Sequence, residues 1–218
     1  MDRHVFPDRR SAGALLGIEV AKVALEDPVV LGLPRGGVPV AAIVAKSIGA
    51  PLDVVVVRKL GVPGQSELAM GAIGENDVVI VNREIVRASR VSEEEFADVE
   101  RRERATLDQT LGLFHSARPE HSLAHRSAVI VDDGIATGAT VRAAIGVVRA
   151  QGVQHVTVAT PVAPVDVVDT LSAEADIVVC LAQPDPFGSV GRWYRNFDAV
   201  SDREVLDLLV ESNSPGAP

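Results

Sequence analysis

Residues 128–140 read Ala-Val-Ile-Val-Asp-Asp-Gly-Ile-Ala-Thr-Gly-Ala-Thr, and this stretch constrains the fold more than any other. A short apolar run rich in β-branched residues predicts a buried strand. The acid pair Asp132-Asp133 and the small residues after it end the strand, and Thr-Gly-Ala-Thr opens a helix. A strand that feeds directly into a helix turns unpaired backbone N–H groups toward whatever lies above the sheet edge. Ala136, Gly138 and Ala139 let an anion approach that backbone, and Thr137 and Thr140 add hydroxyl donors. Asp132 and Asp133 repel an anion and suit hydroxyls or a cation instead. A phosphate with a vicinal diol nearby satisfies both halves of the motif, and a ribose 5-phosphate is such a ligand. A plain strand ending in an Asp helix cap would need one acid and no Thr-Gly-Ala-Thr.

The same strand-then-helix punctuation recurs along the chain. A leading amphipathic helix is expected within residues 7–26, from the spacing of Ala14, Leu15, Ile18, Ala21, Val23 and Leu25. Val29–Leu33 reads as the first buried strand, followed by Pro34-Arg35-Gly36-Gly37 and a helix over 38–48 that Gly49 closes. Leu52–Val57 reads as the second strand, ending in Arg58-Lys59, and Val78–Val81 as the third. The fourth is the strand of the opening motif, with a helix over 141–150. Val156–Thr160 and Ile177–Leu181 are the fifth and sixth, with a helix from Asp166 to about Ala173 between them. Crossovers of this length give right-handed βαβ units, so the expected fold is α/β, a doubly wound and mostly parallel sheet. A core of Val, Ala, Leu and Ile with 3% aromatic residues suits a sheet buried on both faces.

Two stretches break the rhythm. Gly61–Asp77 holds four glycines between strands and is expected to be a mobile loop or a short hairpin. Ser92–Phe114 predicts an inserted helix: Ser92 and Glu95 form a capping-box pattern, and Phe96, Val99, Leu107 and Leu111 an apolar stripe. Its charges are most simply a solvated face, with a homodimer contact as the alternative. The organisation expected is one domain over 1–212, with a disordered tail over 213–218.

A formal charge of −9 argues against a general nucleic-acid or membrane surface. The single cysteine, Cys180, lies in an apolar run and reads as a buried strand thiol. The apolar runs are too short to span a membrane, the N-terminus lacks a signal-peptide core, and a cytoplasmic location is the default expectation. The five histidines show no metal-ligand spacing and are expected at the surface.

The segment VIVDDGIATGAT closely resembles the 5-phosphoribosyl-1-pyrophosphate (PRPP) signature of the type I phosphoribosyltransferases. The resemblance implies that Asp132 and Asp133 hold the ribose hydroxyls, while Ala136, Thr137, Gly138, Ala139 and Thr140 wrap the 5-phosphate. It implies that Pro34, Arg35, Gly36 and Gly37 form the pyrophosphate loop after the first strand. RKLGVPG looks like the arginine-lysine strand end and flexible-loop entry of adenine- and orotate-type members, which adds Arg58 and Lys59 to the pyrophosphate side. Ligands of open α/β sheets gather at the carboxyl ends of the strands, so these groups converge independently of the resemblance.

By the same resemblance the loop over 61–77 closes over PRPP, and Glu67 in it becomes a candidate acid or base, with Lys59 beside it in a catalytic role. The aromatic segment 184–197 matches the family's hood, where Phe187, Trp193 or Tyr194 would stack on a flat acceptor. Mg²⁺ is the implied cofactor, reached through PRPP oxygens and through Asp132 and Asp133. Ala136 stands where 6-oxopurine members carry an aspartate, which argues against hypoxanthine or guanine, and the orotate-type loop lysine and histidine are not evident in residues 61–77. The expected activity is a transferase acting on PRPP and a small nitrogenous acceptor. A PRPP sensor without chemistry and a PRPP hydrolase are the alternatives.

Overall fold

The structure, a computed structural model, describes residues 6–114, 117 and 122–214; the side chain of Glu67 is outside that description. His4, His115, His121 and the tail residues 215–218 also lie outside the described residues. Five strands form one parallel sheet: β1 (Pro28–Gly32), β2 (Leu52–Val54), β6 (Ser127–Val131), β7 (His155–Val162) and β8 (Ile177–Ala182), in the order β2-β1-β6-β7-β8. β6 is the middle strand and β1 lies beside it, paired from Pro28 opposite Ser127 to Gly32 opposite Val131.

The alternation of side chains along β6 explains why both faces are covered. Val129 and Val131 enter one apolar cluster with α1 (Arg9–Val20), α2 (Gly37–Ile48) and α7 (Asp202–Asn213). Ala128 and Ile130 enter another with α5 (Ala139–Ala150) and α6 (Val165–Ser172). Successive residues of a strand point to opposite faces, so an unbroken apolar run is what a doubly covered strand requires.

The structure corrects the expected second and third strands. The run Leu52–Val57 is divided: β2 stops at Val54, and Val55 and Val56 carry the chain out of the parallel sheet. Val55 N–H still donates to Gly32 O at 3.1 Å, the last link to β1. A separate antiparallel sheet follows, made of β3 (Val57–Val62), β4 (Gln65–Gly74) and β5 (Val79–Val81). The physical reason is the connection. Two residues, Pro63 and Gly64 (φ 77°), join β3 to β4, a hairpin turn too short for a crossover helix. Of the two expectations for residues 61–77 the hairpin is therefore the one observed, and Met70 within it is a fully buried core residue.

The inserted helix is α4 (Glu93–Phe114), with α3 (Arg83–Ala88) before it. Its capping box is formed reciprocally: Glu95 N–H donates to Ser92 Oγ at 3.2 Å, and Ser92 N–H donates to Glu95 Oε2 at 2.9 Å. Val99, Leu107 and Phe114 bury its inner stripe against the hairpin. The sequence reading did not anticipate α7, whose Val205 and Leu209 are fully buried beside α2. Among the described residues no helix is long and apolar enough to cross a membrane.

Leu107→Ala should cost about 2–5 kcal/mol, because the side chain is 1% exposed within the main cluster. Leu113→Ala, at 51% exposure on the same helix, should stay within about 0.5 kcal/mol. Urea denaturation of the two variants checks the contrast.

Candidate functional site

The turn after β1 and the turn after β6 meet at the carboxyl edge of the sheet. Leu33 N–H donates to Val131 O at 2.9 Å, which extends the β1–β6 pairing to the mouth of both turns. The approach beyond is close enough to require glycine. A Cβ on Gly37 would lie 2.6 Å from Val131 O and 3.0 Å from Asp132 Cα, and one on Gly36 would be driven into the Asp133 carboxylate. Gly36 and Gly37 thus sit against Asp133 and Asp132. The Pro34–Arg35 peptide just before Gly36 is cis.

Gly37 N–H donates to Leu33 O at 3.0 Å, so it closes the turn instead of facing outward. Arg35 is mostly exposed, with a loose ion pair to Asp202 of α7 at 3.5 Å.

After β6, Gly138 takes φ 73° and α5 begins at Ala139. Among the described residues no acceptor receives the amides of Ala136, Thr137, Gly138, Ala139 or Thr140, and Thr137 and Thr140 are exposed. Five consecutive unengaged donors thus stand at the start of a 12-residue helix, a geometry that suits an anion.

The acid pair is asymmetric. Asp133 Oδ2 accepts from Arg9 Nε at 2.8 Å, and both side chains are 12% exposed. Asp132 Oδ1 accepts from Asp133 N–H at 2.9 Å. Burial, and then the neighbouring Asp133 carboxylate, push Asp132 up to about 8. Burial also raises Asp133, against the pull of Arg9. The single guanidinium reaches Asp133 and not Asp132, so of the two adjacent acids Asp133 is the one whose charged form Arg9 favours.

Arg9 was not among the residues the sequence singled out. It lies 124 positions from Asp133, and its only sequence signal is a place in the first turn of a helix capped by Asp8. Its guanidinium stacks over Phe197, 3.9 Å from the ring centroid, and donates to Asp198 O at 2.8 Å. This end of α1 joins the aromatic segment. Phe6 N–H donates to Trp193 O at 3.0 Å, and Arg195 N–H donates to Phe6 O at 2.9 Å.

That segment forms a wall beside the acid pair, and it corrects one acceptor candidate. Tyr194 is 2% exposed, its ring packed between Phe6 and Phe197, and its hydroxyl donates to Asp133 O. Burial raises its phenol far above the usual range. Tyr194 is core and supports the turn, with no face left for stacking. Trp193 and Phe187 stay half-buried with rings 6.5 Å apart, and Trp193 Nε1–H donates to Phe187 O at 3.0 Å.

Arg58 and Lys59 are also placed differently from expectation. They belong to β3, opposite Ile73 and Ala72, instead of ending a strand of the parallel sheet. Arg58 Nε and Nη2 both reach Glu103 Oε2 of α4 at 2.8 Å. The charge run of α4 is therefore more than a solvated face. Glu67 lies in β4. Cys180 is a half-buried β8 thiol, and the described histidines His125 and His155 are exposed.

The family model for the phosphoribosyl transferase domain matches residues 11–181. This chain belongs to the phosphoribosyl transferase family. A solved structure, TT1426 from Thermus thermophilus, is 42% identical with a TM-score of 0.90, covering 96% of this chain and 99% of that one. Two Mycobacterium tuberculosis proteins, from strains CDC 1551 and H37Rv, are provisionally named phosphoribosyl transferases. Each is 50% identical over 205 residues, which is 94% of this chain and 46% of the relative. The chain thus spans about half the length of these relatives. A five-stranded parallel sheet between helices, with a separate antiparallel sheet, is the type I phosphoribosyltransferase fold.

A carboxyl group whose folded pKa is raised loses stability as pH climbs from its unfolded to its folded value, here from about 4 to about 8. Asp132→Asn removes that loss while keeping an oxygen for Asp133 N–H. The ligand-free variant should melt at least about 3 °C higher than the wild type at pH 8 and show a flatter dependence of Tm on pH. Thermal melts across this range check the sign.

Proposed function

We propose that the protein transfers the 5-phosphoribosyl group of PRPP to a nitrogenous acceptor, a nucleobase by class, and releases pyrophosphate. One observation carries this reading. The unengaged amides of Ala136–Thr140 and the Asp132–Asp133 pair adjoin the Pro34–Gly37 turn at a single sheet edge. Family membership supports it.

In this reading Ala136, Thr137, Gly138, Ala139 and Thr140 hold the 5-phosphate, and Asp132 and Asp133 accept the ribose hydroxyls. Arg35, the Gly36 amide and Lys59 face the pyrophosphate. Arg58 joins them on leaving Glu103. As the bond from the anomeric carbon to pyrophosphate breaks, negative charge grows on the leaving oxygens and positive charge on the ribosyl ring. Preorganised donors stabilise the first and the acid pair offsets the second. The acceptor nitrogen then bonds to the anomeric carbon and loses its proton, for which Glu67 is the candidate base. Phe187 and Trp193 flank the acceptor. The β3–β4 hairpin covers the reacting centre against water, which would divert the ribosyl cation.

Among the described residues no group of three or more His, Cys, Asp or Glu could hold a metal alone. The carboxylate oxygens of Asp132 and Asp133 fit a hard ion whose remaining ligands come from PRPP and water, as Mg²⁺ favours. Bound there, Mg²⁺ would neutralise part of the pyrophosphate charge. The activity would serve nucleotide salvage.

Pyrophosphate release from PRPP and Mg²⁺ should depend on one member of a panel of nucleobases and amines. Acceptor-independent release would identify a hydrolase, and binding without release a sensor. Asp132→Asn/Asp133→Asn should lower kcat/KM for PRPP by about 10²–10³ while far-UV circular dichroism stays native. Unchanged kinetics would remove the acid pair from the mechanism.

A further inference from the structure

We propose that Arg9 is a positioning residue of the ribose site, acting through Asp133 and resting on the PRPP reading above. Three contacts fix its guanidinium: Nε to Asp133 Oδ2 at 2.8 Å, Nη1 to Asp198 O at 2.8 Å, and the Phe197 ring at 3.9 Å from Cζ. The first belongs to the acid pair and the other two to the aromatic wall. Arg9 therefore ties the wall to the carboxylate.

The geometry gives Arg9 two effects on ligand binding. The first is orientation. Asp133 Oδ2 is held between the guanidinium and Gly36, where no side chain has room, so the carboxylate plane is fixed and Oδ1 stays outside the ion pair. A carboxylate in one fixed orientation offers a ribose hydroxyl a preformed acceptor, at lower entropic cost than one free to rotate. The second is charge. PRPP is a polyanion, and two adjacent acids beside it would repel it. A buried guanidinium cancels one of those charges without occupying the ribose face.

The contact is also tied into the fold from the opposite side of the turn. Tyr194 O–H donates to the backbone carbonyl of Asp133, so the residue is held through its side chain by α1 and through its main chain by the wall. Ile135 N–H donates to Val162 O at 2.9 Å and fixes the turn that follows. Only the side-chain tether depends on Arg9. Its loss should therefore loosen the carboxylate more than the loop.

The test is calorimetric titration of PRPP with MgCl₂ into the wild type, Arg9→Ala, Arg9→Lys, Asp133→Asn and the double variant Arg9→Ala/Asp133→Asn. Arg9→Ala should raise Kd by roughly tenfold or more, the loss expected of a charge-assisted contact. Arg9→Lys, which keeps the charge but not the second anchor, should lose about threefold. In the Asp133→Asn background Arg9→Ala should change Kd less than about twofold, because coupled residues are not additive. Added guanidinium at about 20 mM should restore part of the affinity of Arg9→Ala and none of that of Asp133→Asn.

Wild-type affinity in a folded Arg9→Ala or Arg9→Lys protein would overturn the proposal. So would an equal loss in both backgrounds, which marks a general structural role. If Arg9→Ala does not fold, Arg9→Lys and the double variant carry the same comparison. Failure of the wild type itself to bind PRPP would overturn the functional reading and this inference together. Binding by the wild type with no effect at Arg9 would overturn the inference alone.

Discussion

The ion pair between Arg9 and Asp133 is the contact on which the site depends. A guanidinium and a carboxylate, each 12% exposed and 2.8 Å apart, give up most of their hydration to meet. Such a pair adds little net stability over an apolar substitute, but removal of either partner strands a buried charge. Its two ends lie on α1 and on the turn after β6, so it fixes the N-terminal helix over the carboxyl edge of the sheet. The Asp133 carboxylate also lies against Gly36, so the first turn cannot move without displacing the second. Three segments distant in sequence are held to one small volume.

That arrangement is possible because the parallel sheet is covered on both faces. Val129 and Val131 face α1, α2 and α7, while Ala128 and Ile130 face α5 and α6. With the side chains of the central strands committed to the core, polar chemistry has only the strand ends left. β1 and β6 are adjacent and in register to Gly32 and Val131, so their turns emerge side by side. The site follows from the strand order, as ligand positions in open α/β sheets generally do.

The central strands and the start of α5 were legible because their signals are local. An apolar run, an acid pair and a small-residue helix start fall within residues 128–140, and the capping box of α4 within four residues. The departure at Val55 was not legible: the run Leu-Asp-Val-Val-Val-Val from Leu52 to Val57 looks the same whether one sheet takes it or two. Only the two-residue turn at Pro63-Gly64 decides it, and a glycine-rich stretch reads as well for a loop. Arg9 was illegible for a different reason. Its partner is 124 residues away, and nothing local distinguishes it from Arg10. Tyr194 was misread by residue type, since a lone tyrosine in an aromatic cluster serves a core as readily as a ligand.

For an acidic chain of net charge −9 to bind a polyanion, as proposed, it would have to use local donors. Its cations differ in how readily they can turn to a ligand, and burial ranks them. Arg35 meets Asp202 at 3.5 Å with both side chains about half exposed, a pair that solvent screens and that contributes little. Arg58 and Glu103 are closer, at 2.8 Å, and less exposed. Arg9 and Asp133 are nearly buried, and separating them would leave a charge that water cannot reach. In the proposed reading, a polyanion arriving at the sheet edge would draw on Arg35 before Arg58 and leave Arg9 in place. Of these three arginines, the one with the loosest and most exposed ion pair is the freest to turn, and the one most deeply paired is fixed to the acid pair.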